Sequence, residues 1–506
     1  MNAPEPLLVR GAHLCTADDS ERVLTEGSLL AVDGRIAAVG TVAEVDAAVA
    51  ALPPEQRAAL RTVDARRMLV LPGFVNAHWH ELFSTRLPFN GAMRPADDRG
   101  DQAGFLGNGG DMHRISAVFD SFHDLIAGLT PDEGEAIARY SMWTQLRAGV
   151  TTLGDVGSVN RPEALAAAAV WLGMRCSVST WATDAVCRPG ESAFVRSRDT
   201  DAVLAEIEAL VKTCAADGTG LLRARPTAVY GTNMTDELGR GLAEIVRGHD
   251  TGFASHIGAQ RHEGEFVRTY FGATPVRRFA ALGLLDERLM SIHTGFADDE
   301  ERRMLLEAGV HLSHSPAKYG PAGESAMTET RLIPELRREG LDVSLSTDGQ
   351  PLVFPGMPEQ MRAAWQTHNE MYADPTLVRP TDALAMGTRI AARGLRWEEE
   401  IGSLAPGKQA DLVMVPLEDW RYVHTPRPLE AFLAVGGSGD VDTVVVGGRV
   451  LVESGRATGF DEEELLAGYE TALRSYSERC LKVPGEKIDE VFARTTRRGP
   501  GTGVAR

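Results

Sequence analysis

Met68-Leu-Val-Leu-Pro-Gly-Phe-Val-Asn-Ala-His-Trp-His80 is an apolar run that ends in two histidines one residue apart. In a strand, residues i and i+2 project to the same side. His78 and His80 therefore leave the C-terminal end of a buried strand together, aimed at one point. Two neutral imidazoles held this way suit a borderline-soft divalent metal such as zinc. Alone, a His-x-His pair reads equally well as two polar residues on an exposed strand end, so the rest of the chain decides.

Seven further apolar runs follow, at 150–156, 176–181, 221–229, 251–257, 289–293, 310–314 and 343–348. Amphipathic helical stretches fall between them, at 133–147, 201–214, 236–246, 265–281, 298–307 and 331–339. Strands alternating with helices make an α/β chain and predict a parallel βα barrel, in which function sits at the C-terminal strand ends. An open doubly wound sheet is the alternative. It is disfavoured because no Gly-x-Gly-x-x-Gly follows the first run.

The chain ends read differently. The run 7–15, the flanks of the Asp33-Gly34 turn, 411–416, and the two runs around Gly447-Gly448 are short strands with hairpin turns. They predict one small β domain drawn from both termini. The expected division is 1–66 and 401–456 for that domain, 67–400 for the barrel, and 457–506 for a helix (461–480) and a disordered tail from 494. The Gly- and Asp-rich segment 87–110 reads as a lid or as a disordered insertion.

Bulk properties narrow the function. The chain has 506 residues, 43% hydrophobic and 24% charged, as expected of a globular protein with one large and one small domain. Its net charge of −19 argues against nucleic acid and anionic membrane as partners. Cys15, Cys176, Cys187, Cys214 and Cys480 show no CxxC spacing and read as reduced thiols of a cytoplasmic protein. No signal peptide and no membrane span is apparent.

Only 13 histidines are present, and several end the runs. His256 ends the fifth, His293 the sixth and His314 the seventh, while Asp348 ends the eighth. His78, His80, His256 and Asp348 would place three nitrogens and one oxygen around a metal with a position left for water. A metal lowers the pKa of bound water, and a carboxylate beside it can take the proton. His293 is placed to hydrogen-bond the attacked group or the water. His123, His311 and His368 read as core histidines.

These residues carry a family resemblance. The Leu71–His80 motif, Gly-Val-Thr-Thr-Leu-Gly-Asp155, His314-Ser-Pro-Ala, Ser346-Thr-Asp-Gly349 and Ile401-Gly-Ser-Leu-Ala-Pro-Gly-Lys-Gln-Ala-Asp-Leu-Val-Met-Val415 resemble the amidohydrolase superfamily. The branch is that of triazine hydrolases, chlorohydrolases, and guanine and cytosine deaminases. The resemblance spans roughly residues 7–460. It implies a distorted TIM barrel with a composite β-sandwich, zinc or iron, and hydrolysis at a carbon of a nitrogen heterocycle. It implies His78, His80, His256 and Asp348 as ligands, Asp348 also as proton acceptor, and His293 as the histidine beside the nucleophile. Dimers or larger assemblies are common in the family, and helix 461–480 could serve such an interface.

Two features set this chain within the resemblance. Binuclear members carry a bridging lysine on the fourth strand, and 221–231 contains none, so one divalent metal is expected, zinc before iron. Deaminases of this branch place a proton-shuttling glutamate three residues after the fifth-strand histidine. Here that position is Ala259. Losing a general acid/base typically costs about 10²–10⁴ in rate. Candidates for substrate contact at the mouth are Trp79, Glu81, Arg86, Trp181, Tyr230, Gln260, His314, Lys318, Tyr319 and Gln350. The expected activity is hydrolysis of a C–N bond in a small heterocycle. Displacement of a good leaving group or a non-hydrolytic step is the alternative that Ala259 raises, and a non-catalytic barrel ranks last.

Overall fold

The computed structural model describes residues 4–81, 110–349 and 356–495. Arg86, Gln350 and most of segment 87–110 lie outside the described residues, as does 496–506.

The chain opens with β1 (Leu7–Cys15), β2 (Val23–Val32), β3 (Arg35–Thr41), β4 (Arg61–Asp64) and β5 (Met68–Pro72). A second group of strands is separated by helices. It comprises β6 (Phe74–Trp79), β7 (Val150–Asp155), β8 (Arg175–Val178), the short β9 (Ala185–Val186) and β10 (Val195–Arg196), β11 (Leu222–Ala224), β12 (Thr227–Tyr230), β13 (Phe253–Ile257), β14 (Leu289–His293), β15 (His311–His314) and β16 (Val343–Leu345). The chain returns through β17 (Leu412–Pro416), β18 (Thr443–Val446), β19 (Arg449–Glu453) and β20 (Arg456–Ala457).

The terminal strands share one nine-stranded sheet, in which β17 pairs antiparallel with β5. The apolar run 68–80 therefore serves two sheets. Its first half, β5, belongs to the terminal sheet, and its second half, β6, begins the parallel set. The break falls at Gly73, where a Cβ would lie 2.3 Å from Thr151 Oγ1, so only glycine lets the strands approach.

The parallel set forms two sheets, β6-β7-β8-β11 and β12-β13-β14-β15-β16. They divide within the predicted fourth run, where Arg225-Pro226 interrupts the strand and proline withholds an amide from the ladder. At the other seam β16 meets β6: Asp348 N donates to His78 O at 3.1 Å, Asn76 Nδ2 to Thr347 Oγ1 at 2.7 Å, and Thr347 N to Asn76 Oδ1 at 3.0 Å. All residues of β6 and β7 are buried, as parallel strands covered on both faces require.

The predicted helix 265–281 is two helices, Glu263–Phe271 and Pro275–Ala281. Gly272 ends the first in the left-handed region (φ +83°), and Pro275 starts the second. The C-terminal helix Glu462–Arg479 lays Tyr469, Ala472, Leu473 and Tyr476 inward. Tyr469 stacks on Tyr140 of helix Pro131–Arg147 at 4.5 Å, and Tyr476 donates to Leu125 O at 2.8 Å. That face of the helix is thus covered within the chain. A further helix, Gly485–Thr495, follows it and ends at the start of the segment expected to be a tail from 494. No helix among the described residues is long and apolar enough to cross a membrane.

Candidate metal centre

His78 and His80 reach the site because β6 alternates, and the residue between them points the other way. Trp79 accordingly packs in the main apolar cluster with Phe74, Leu69 and Trp143. Its expected substrate role is corrected on that ground. Glu81 is likewise turned aside: its carboxylate accepts from Ser141 Oγ of helix Pro131–Arg147.

The Nε2 atoms of His78 and His80 are 2.9 Å apart, and Asp348 Oδ1 lies 3.6 Å and 3.5 Å from them. Two donors about 2.1 Å from one zinc lie about 3.0–3.4 Å apart at angles between 90° and 109°, and these separations fall just to either side of that range. The ligand atoms of His78, His80 and Asp348 lie within 4.8 Å of one another, and so do those of His78, His256 and His293. His78 links the two groups.

The outward nitrogens of two imidazoles are spoken for. His80 Nδ1 is 3.0 Å from Gly157 O, and His256 Nδ1 is 2.7 Å from Val229 O. A carbonyl can only accept, so both Nδ1 atoms carry hydrogen and both Nε2 atoms present lone pairs. Burial pushes the pKa of His78, His80 and His256 below the usual histidine range. Asp348 opposes this, while the neighbouring imidazoles reinforce it at His78 and His256. Neutral imidazoles are the ligand form.

His293 and Asp348 both adopt left-handed backbone, φ +68° and +58°. For non-glycine residues this costs on the order of 1–3 kcal/mol each. His293 Nε2 lies 2.9 Å from Asp348 Oδ2, and its Nδ1 lies 3.2 Å from the Tyr319 hydroxyl. Asp348 is held well below the ordinary carboxylate range: burial alone would raise it, but the Lys318 ammonium 2.6 Å away and the surrounding imidazoles outweigh that.

Lys318 is buried, 4% exposed, and it pairs with Glu324 as well as Asp348. It closes the site from within and is no surface lysine. Burial would lower its pKa, yet the two carboxylates raise it. Glu324 was not legible in the sequence. It lies ten residues past the seventh strand end, and no periodicity marks it. It also accepts from Gln260 Nε2 at 3.0 Å, which fixes that expected substrate residue. Glu324, His293 and Asp348 form a third group within 4.8 Å.

Ala259 is fully buried in an apolar cluster with Met112, Ile115, Trp181, Val229 and Tyr230. Glu263, four residues on, accepts from the amides of Gly258 (2.9 Å), Ala259 (2.8 Å) and Gln260 (3.3 Å), so it caps that turn. Tyr230 stacks face to face on His256 at 4.8 Å and 5°, and Phe119 stacks on Tyr230 at 5.2 Å. Trp181 packs edge-on to Phe119, and its indole donates to Phe119 O at 2.7 Å. His314 is turned inward, to His368 and Tyr319. It is fully buried and bonded behind the site, which corrects its expected contact with substrate. On the fourth strand no lysine occurs among the described residues, and Lys212 lies on helix Thr200–Ala215, paired with Glu208.

The sequence profile of the amidohydrolase family matches residues 69–451. A 5-methylthioadenosine/S-adenosylhomocysteine deaminase of Moorella thermoacetica is 29% identical, over 80% of this chain and 86% of its own. An 8-oxoguanine deaminase of Pseudomonas aeruginosa is 27% identical, over 88% of this chain and 94% of its own. Among solved structures, an adenosine deaminase of Xanthomonas campestris with bound zinc superposes with a TM-score of 0.76 at 21% identity, covering 96% of this chain and 100% of its own. An atrazine chlorohydrolase of Arthrobacter aurescens complexed with zinc gives 0.74 at 24% identity, covering 92% and 100%. The chain belongs to the amidohydrolase family.

Proposed function

We propose that this chain is a mononuclear metal-dependent hydrolase that cleaves a C–N bond at a ring carbon of a nitrogen heterocycle, releasing ammonia or an amine. In this reading the parallel strands form a distorted (β/α)8 barrel, spanning 67–400, and the terminal strands a small β domain. His78, His80, His256 and Asp348 hold one divalent ion, zinc before iron. The observation that carries the proposal is the convergence of lone pairs: His80 and His256 are locked by backbone carbonyls with Nε2 free, beside His78 and a carboxylate. Bound there, the ion supplies an acidified water at neutral pH.

The protein's own groups do the rest. Asp348 takes a proton from the attacking water. His293 is bonded to the same carboxylate and faces the reacting atoms. The Tyr230 ring, stacked on His256, lends a flat wall to a planar substrate. The glutamate replaced by Ala259 has a spatial counterpart, because the Lys318–Glu324 pair reaches Asp348 from helix Pro316–Ala322 after β15 and the turn that follows it. This pair is the group that can return a proton to the leaving nitrogen.

The test is metal analysis of purified protein joined to an ammonia-release screen across purines, pyrimidines, pterins and triazines. One equivalent of metal per chain, and ammonia release lost on chelation, is the expected result. Glu324→Gln should slow release by about 10²–10⁴ while the metal is retained. Protein without stoichiometric metal would sink the proposal. Metal with turnover only of substrates carrying a leaving group that needs no proton would favour displacement over deamination.

A further inference from the structure

Behind the site, four buried side chains form a continuous hydrogen-bonded line with Asp348, and its polarity can be worked out. An ionised carboxylate only accepts. His293 Nε2, 2.9 Å from Asp348 Oδ2, must therefore carry the hydrogen. In a neutral imidazole the other nitrogen is then an acceptor. The Tyr319 hydroxyl, 3.2 Å from His293 Nδ1, must donate to it.

That hydroxyl has one hydrogen, so its other partners must donate to its oxygen. The Ser315 amide does so at 3.2 Å. His314 Nδ1, at 3.3 Å, must do the same. His314 Nε2 is then a lone pair, and His368 Nε2, 3.1 Å away, must be its donor. His368 Nδ1 is left with a lone pair, and it has no hydrogen-bond partner among the described residues. With His293 neutral, every bond runs in one direction, from His368 on helix Met357–Tyr372 to Asp348. Burial keeps His314 and His368 neutral at pH 7, the latter with its pKa pushed down to about 4.

We propose that Tyr319 is a positioning residue: its hydroxyl holds His293 in the Nε2–H tautomer that bonds Asp348, and the His314–His368 pair fixes the direction of that hydroxyl. The catalytic consequence rests on the reading of His293 and Asp348 given above. The tautomer assignment itself does not: it follows from hydrogen-bond polarity once His293 is taken as neutral. Without the tyrosine, no group among the described residues chooses between the two neutral forms of His293 on the Nδ1 side. It could then turn a lone pair toward Asp348, which would repel it.

Long-range 15N–1H correlation spectra of metal-loaded protein labelled on histidine test this directly, with peaks assigned by His293→Gln and His314→Gln. The expected wild-type spectrum shows His293 and His368 protonated at Nε2 alone, and His314 at Nδ1 alone. Tyr319→Phe should reduce the Nε2–H to Nδ1–H ratio of His293 about fivefold or more, as loss of one hydrogen bond implies. A part that was only structural would lower stability and leave this ratio unchanged. A wild-type His293 protonated at Nδ1 would overturn the inference, as would a single unchanged tautomer in Tyr319→Phe. The wild-type spectrum decides even if the variant fails to fold. Protein that shows these tautomers but releases no ammonia would fail the functional reading and leave this one standing.

Discussion

Lys318→Met should destabilise the protein by about 3 kcal/mol, because it strips the shared cation from two buried carboxylates. The magnitude follows in two ways. Glu324 and Asp348 offer oxygens within 4.8 Å of each other. Two unit charges about 4.8 Å apart repel by about 3.5 kcal/mol at an effective dielectric near 20. Removing one partner of a buried ion pair typically costs about 3–5 kcal/mol. The agreement supports a specific cycle. Lys318→Met combined with Glu324→Leu removes the repulsion, and it should recover most of the loss. The assay is the midpoint of chemical denaturation for wild type, both single variants and the double variant at pH 7. The single lysine variant should be the least stable of the four. A Lys318→Met protein within about 0.5 kcal/mol of wild type would refute the buried-triad reasoning. So would a double variant no more stable than the lysine variant.

Restoring a glutamate at position 259 should not restore a shuttle. Ala259 is fully buried among Met112, Ile115, Trp181 and Tyr230, so Ala259→Glu should cost several kcal/mol of stability and lower any ammonia release. A stable, faster enzyme would show that the cluster can open. His311, buried at the start of β15, has its pKa pushed down to about 3 by burial, with Arg225 and Arg393 adding to the effect. The unfolded state therefore binds a proton that the native state refuses, and stability should fall as pH drops from about 6.5 toward 3. His311→Gln should make that limb shallower in pH-dependent denaturation, and an unchanged limb would remove His311 as a contributor beside the other buried histidines. Chelation should lower the melting temperature of wild type, since ligand binding to the native state stabilises it. The same treatment should leave His80→Ala nearly unmoved, and an equal response in both would place the metal elsewhere.

Much of the site could be read in the sequence because strand alternation is local. His78 and His80 share a face by period alone, and His256, His293 and Asp348 mark the ends of apolar runs that the structure resolves as β13, β14 and the segment after β16. The same alternation, applied to Trp79, would have placed it in the core. The run 68–80 reads as one strand because hydropathy does not record the close approach of Thr151 to Gly73, which splits it between two sheets. The break at Arg225-Pro226 was visible as a proline and outweighed by its apolar neighbours.

The sequence by itself determined the imidazoles, the carboxylate, the missing fourth-strand lysine and the alanine at 259, because each depends on residue identity at a strand end. Tertiary structure alone decided what surrounds them. It placed Lys318 between Asp348 and Glu324, though Glu324 lies in an irregular turn with Ser325 and Ala326 in left-handed conformation. It put Tyr319 against two histidines from neighbouring strands and brought His368 from a helix 54 residues beyond His314. Those contacts arise from the lateral pairing of parallel strands and the helices packed behind them. Sequence distance carries no signal of that pairing.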